Sequence, residues 1–155
     1  VIPSPIDLVP IDPGKTSGWA WFHQRVLVQC GYGKFEDVVR LPMLKNLGGI
    51  GGSMLVELPK WRPQDRNIDI DDIIKLSIMA GEFKNLGESQ GAKVELVWPR
   101  TWKGTVPADV MTERILGLLQ TSEREVVPNR PRAKTPDHNC VDAIGLGLWK
   151  LGRMR

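Results

Sequence analysis

Val9-Pro-Ile-Asp-Pro-Gly-Lys-Thr-Ser-Gly-Trp-Ala20 reads as a β-strand that ends in an acid, turns tightly and returns as a second strand. Ile6, Leu8 and Val9 are strand formers, and Pro13-Gly14 and Ser17-Gly18 are turn punctuation. Asp12 closes an apolar run, which puts its carboxylate at the lip of the core. A charge there is costly without a partner, and a bound cation is one solution. A turn-capping role is the other, since Asp-Pro-Gly is ordinary turn chemistry. Pro-Gly-Lys-Thr is not a phosphate-binding loop. That motif needs a glycine where Val9 stands and a helix after the lysine.

The 155 residues suit one domain spanning 1–155, with enough apolar material for a core. No export signal and no membrane-length apolar run is visible, so a cytoplasmic protein is expected, in a bacterium or in the host cell of a phage. Cys30 and Cys140 are far apart and lack the spacing of a disulfide framework or a zinc site. The net charge is only +3, but it is uneven. Arg124, Arg130, Arg132 and Lys134 cluster, and the chain closes Lys150-Leu-Gly-Arg-Met-Arg155. Such patches suit a polyanion or a solvated surface.

Taken in order, residues 6–12 and 17–23 form a hairpin and 25–30 a third strand. Residues 36–47 suit a short helix broken or started at Pro42, and the glycines from 48 to 52 a flexible link. Ser53-Met-Leu-Val-Glu-Leu-Pro59 is another strand, and Glu57 is its one acid. Beside the first strand, Glu57 would face Asp12, and the two would either repel and raise a pKa or share a divalent ion; on an edge strand Glu57 would point to solvent. Lys60-Trp-Arg-Pro63 sets an aromatic between cations, which suits stacking on a base or folding back over the core.

Residues 69–86 form a helix, its first turn loaded with Asp69, Asp71 and Asp72 as dipole and capping partners. Ile70, Ile73, Ile74, Ile78, Met79 and Phe83 give it an apolar face broad enough for a sheet and a second subunit. A strand at 93–98, a loop at 99–104 with a second aromatic among cations, a helix at 107–120 and a mobile basic connector at 121–135 follow.

The last helix is expected to open at Thr135-Pro136 and carries Asp137-His-Asn-Cys-Val-Asp142-Ala143. His138 and Asp142, four apart, share a face, offset by about 40°. Asp137 lies roughly 140° away if helical, and would converge only from a non-helical start. Capping is the plainer role for Asp137, and a surface or capping role for His138. Val141, Ile144, Leu148 and Leu151 form the buried stripe, and Gly145 and Gly147 suit close approach to the sheet.

An acid ending strand one, an acid in a later strand and acids with a histidine opening the final helix together resemble the RuvC-type Holliday junction resolvases. The likeness is closest to the small phage-type members. Ile-Asp-Pro-Gly…Ser-Gly-Trp-Ala resembles their first motif and Leu-Val-Glu-Leu-Pro their second. Pro99-Arg-Thr-Trp-Lys-Gly-Thr-Val-Pro107 is similar to their loop-to-helix segment, and residues 137–149 to the closing helix. The resemblance implies an α/β fold: an RNase H-like mixed sheet of about five strands, flanked by helices on both faces. It implies a homodimer that cuts four-way and branched DNA by paired symmetric nicks with Mg2+, two ions per site, Mn2+ able to substitute, and no nucleotide cofactor.

Carried over, Asp12, Glu57 and Asp142 match the catalytic acids. Where many relatives place an acid three residues before the last, this chain has Asn139, so the fourth ligand is left to His138 or Asp137. Two metals supply an activated water and neutralise the departing oxygen. Asp12 would bridge both ions, Glu57 hold the one opposite the leaving 3′ oxygen, and Asp142 with Asp137 or His138 the one that activates water, leaving a 5′ phosphate. His138 could instead carry a proton. Lys60, Trp61, Arg62, Arg100, Lys103, Arg130, Arg132 and Lys134 would bind DNA, with Trp61 against the junction centre. The neighbouring reading is another RNase H-like nuclease, cutting RNA–DNA hybrids or flaps.

Overall fold

Period-two alternation along the first strand sorts the molecule into two layers. Leu8 packs with one apolar cluster, while Val9 and Ile11 pack with the other. The computed structural model describes residues 7–59, 67 and 69–155. Lys60, Trp61 and Arg62 therefore lie outside the described residues, as does Ile6. The strands are β1 (Asp7–Asp12), β2 (Ser17–His23), β3 (Val26–Gly33), β4 (Ser53–Glu57) and β5 (Lys93–Val97), ordered β3-β2-β1-β4-β5. β1–β2 and β2–β3 pair antiparallel, and β1–β4 and β4–β5 pair parallel.

The helices are α1 (Phe35–Val38), α2 (Pro42–Asn46), α3 (Ile70–Ser89), α4 (Pro99–Lys103), α5 (Ala108–Leu118), α6 (Thr121–Glu125) and α7 (His138–Lys150). Leu44 of α2 and Phe83 of α3 pack with Val9, Ile11, Met54 and Val56 on one face. Trp102 of α4, Met111 and Ile115 of α5 and the buried side of α7 pack with Leu8, Phe22 and Leu55 on the other. None of the described helices is long and apolar enough to cross a membrane.

Four expectations change. The link after residue 47 holds a 3-10 turn at Gly48–Ile50. The 99–104 loop is the helix α4, with Pro99 at its first position and Gly104 past its end at φ +58°. On α3 only Ala80, Phe83 and Gly87 are buried, and Ile70, Ile74 and Ile78 stay 59%, 52% and 59% exposed. The broad apolar face is thus split between core and surface. The 121–135 connector contains α6 and a bridge between Asn129 and Pro136, so it is not a featureless linker.

α6 is tied down by Glu123, which is fully buried. Arg153 grips both its oxygens, at 2.6 and 2.7 Å, and the N–H groups of Leu27 and Gln120 donate to them at 2.8 and 2.9 Å. Burial pushes this carboxyl up, but the Arg153 and backbone hydrogen bonds outweigh it and hold it at about 2. The folded value lies below the unfolded one. The stabilisation is therefore complete above pH ~4.5 and lost as pH falls toward ~2.

Arg153→Met is expected to cost about 3–5 kcal/mol at neutral pH, because it strands a buried charge. Urea melts at pH 7 and in a descending pH series check both statements; Glu123→Gln should remove the acid-sensitive portion.

Candidate metal centre

Asp12 ends β1 and Glu57 ends β4. The parallel register pairs Ile11 with Val56, so the two acids sit side by side one residue further on. Each lies two residues along from a position on the α7 side, Pro10 beyond Leu8 for Asp12 and Leu55 for Glu57, so both carboxylates point toward α7. Cations and substrates of open α/β sheets gather at such strand carboxyl ends.

α7 brings the third acid. Its first turn crosses β2 so closely that a methyl group on Gly18 would overlap the Asn139 carbonyl. Gly18 is thus a contact residue within β2 rather than turn punctuation. Gly147 likewise meets the Phe22 ring of the sheet, but Gly145 meets Ile115 and Trp102, a helix contact instead of the expected sheet contact. The docking places Asp142 over the strand ends. One oxygen each of Asp12, Glu57 and Asp142 lies within 4.8 Å of the other two. The cleft around them holds about 430 Å3 and is also lined by Lys15, His138 and Asn139.

The fourth-ligand candidates separate. The helix opens at Asp137 rather than at Thr135-Pro136, and Asp137 Oδ1 accepts the N–H groups of Asn139 and Cys140 at 2.9 and 3.1 Å. Asp137 is therefore an N-cap, and it is not among the carboxylates that meet. His138 is exposed and lines the cleft, but stands outside the set of mutually close oxygens. Asn139 Nδ2 donates to the Thr16 carbonyl at 2.5 Å, clamping the β1–β2 turn to α7. A carboxylate could not donate that bond, which gives a physical reason for asparagine at this position.

Two neighbours that sequence reading left out of the acid cluster complete it. Trp102 Nε1 donates to Glu57 Oε2 at 2.7 Å, fixing the carboxylate plane. Lys103 was expected to meet DNA phosphates. Its ammonium lies 2.8 Å from Asp142 Oδ2 and 3.4 Å from Glu57 Oε1, above the Trp102 ring at 4.9 Å. The available signal was an indole donor beside a cation, one strand over from Glu57. Arg100, Arg130, Arg132 and Lys134 are exposed, with Arg130 bonded to the Thr135 hydroxyl at 2.9 Å.

Burial, then the charges of Glu57 and Asp142, push the Asp12 carboxyl well above the usual range. Burial also raises Glu57, against the opposing pull of Lys103. For Lys103 burial works to lower the value, and the facing carboxylates overcome it and raise it. The donor set fits a hard divalent cation: three carboxylates, oxygen only, crowded enough to disfavour full ionisation without added positive charge.

No family model matches the sequence, and no curated protein does either. Among solved structures, T. thermophilus RuvC in complex with a Holliday junction substrate superposes with a TM-score of 0.65 at 17% identity, over 96% of this chain and 95% of that one. The chain therefore has the RNase H-like fold of that protein.

Because Lys103 competes for the carboxylates, Lys103→Met is expected to bind calcium about tenfold more tightly, or better, by calorimetry. The same variant should melt at lower temperature in chelator. A raised carboxyl destabilises the folded state as pH climbs through its folded value. Chelated wild type should accordingly lose stability as pH rises above the ordinary carboxylate range, and magnesium should restore it.

Proposed function

We propose that this chain is a structure-selective DNA endonuclease that resolves four-way and branched junctions by paired nicks. The observation that carries the reading is the convergence of Asp12, Glu57 and Asp142 at the strand ends. The fold it shares with a protein solved in complex with a Holliday junction substrate supports the substrate class.

Asp12, Glu57 and Asp142 would hold divalent cations, magnesium or manganese, which when bound supply an activated water and neutralise charge on the departing oxygen. Asp12, which feels the charge of both other acids, would hold such a cation together with Glu57 and Asp142. Trp102 keeps Glu57 oriented throughout. Lys103, paired with Glu57 and Asp142, would stand beside the scissile phosphate, where an ammonium suits developing negative charge. His138, at the rim of the cleft, relays a proton to or from solvent. A 5′ phosphate is left. Arg130, Arg132 and Lys134, on the turn before α7, bind backbone phosphates.

Symmetric nicking calls for two sites facing one junction. Ile70, Ile74 and Ile78 recur every fourth residue on the exposed side of α3, and this face serves as the contact between two copies.

Asp12→Asn is expected to reduce four-way-junction cutting to the uncatalysed background while junction binding persists. Cutting by wild type should stop in chelator. A panel of labelled junction, flap, duplex and RNA–DNA hybrid substrates tests substrate choice; preferential cutting of the hybrid would replace the junction reading with another RNase H-like nuclease. Ile74→Glu should lower the mass seen by light scattering to that of one chain.

A further inference from the structure

A second groove opens beside the acidic cleft, between α4, α5 and the end of α7. It holds about 390 Å3 and is lined by Arg100, Lys103, Arg114 and Arg155, with no acidic residue among the described residues of its wall. Trp149, half-buried on α7, forms part of the same wall. Arg114 donates to a main-chain oxygen of Arg155, and neither the Arg100 nor the Arg114 guanidinium is paired with an acidic side chain among the described residues. Lys103 joins the two sites: it lines this groove while its ammonium reaches Glu57 and Asp142. Arg100 lies three residues before Lys103 on α4, on the same side of the helix.

We propose that this groove is a polynucleotide subsite that carries the strand flanking the scissile phosphate. The proposal rests on the nuclease reading and adds the strand's path to it. A chain leaving the acidic cluster passes Lys103 first, then meets the guanidinium groups of Arg100 and Arg114. Guanidinium forks bind phosphate oxygens in pairs, a geometry lysine lacks. The indole of Trp149 offers a face for a base or sugar, and stacking tolerates any sequence. Repeating phosphates with flat rings match cations beside an aromatic. An acidic peptide would satisfy the cations and leave the indole unused.

The test is the salt dependence of binding to a labelled four-way junction, with calcium in place of magnesium to prevent cutting. Each lost duplex phosphate contact lowers the slope of log K against log salt by about 0.9, or about 0.7 on a single strand. Arg100→Gln/Arg114→Gln is expected to lower the slope by roughly 1.4–1.8, with the melting temperature near that of wild type. Lys150→Gln, an exposed cation paired with Glu95 outside the groove, should leave the slope unchanged. An unchanged slope in the double variant, or an equal fall from Lys150→Gln, would overturn the groove assignment while the nuclease reading stands. Competition by polyglutamate as effective as that by single-stranded DNA would also overturn it. Failure of wild type to bind any DNA would sink the nuclease reading, and the groove with it.

Discussion

Mutual repulsion among Asp12, Glu57 and Asp142 is the constraint around which the molecule is arranged. Oxygens within 4.8 Å on three acids, two of them buried, cannot all stay ionised without help. The chain supplies part of that help itself. Lys103 sits between Glu57 and Asp142, and Trp102 donates to Glu57. One ammonium does not balance three carboxylates, and Asp12 bears the remainder as a raised affinity for its proton. A site in this condition is held ready for positive charge, which is the physical sense in which it suits a divalent ion.

The remainder of the architecture keeps those acids from moving apart. Parallel pairing of β1 with β4 fixes two of them in register. The third depends on α7, whose approach to β2 is set by the missing side chain of Gly18 and by the Asn139 bond to the Thr16 carbonyl. At the far end of α7 the Arg153–Glu123 pair and the Leu27 N–H tie the chain back to α6 and β3. Asp142 therefore sits in a helix restrained at both ends, away from the mobile loops where many binding residues lie.

Much of this was legible in the sequence because strand alternation and the order of acids are local signals. The first hairpin, the Glu57 strand, α3 and the buried stripe of α7 could each be read from period and punctuation. What could not be read was set by tertiary contact. The segment carrying Trp102 and Lys103 looks like a loop because Pro99 and Gly104 bracket only five helical residues. Nothing local announces that two acids will also surround Lys103. Asp137 stands one residue before α7, where one of its oxygens, Oδ1, accepts the amides of the first turn, a role set by where the helix begins. The α3 isoleucines gave a correct periodicity, and only packing could say which of them the core would leave out.

The dependence on α7 has a consequence during synthesis. In a polypeptide emerging from the ribosome, residue 142 follows residue 12 by some 130 residues. The hairpin and β4 can pair beforehand, since domains begin to organise from their leading end. Until the closing helix docks, however, a nascent chain has two acids with neither their third partner nor the Asn139 clamp. The acid cluster is thereby assembled only once the helix that carries Asp142 has docked.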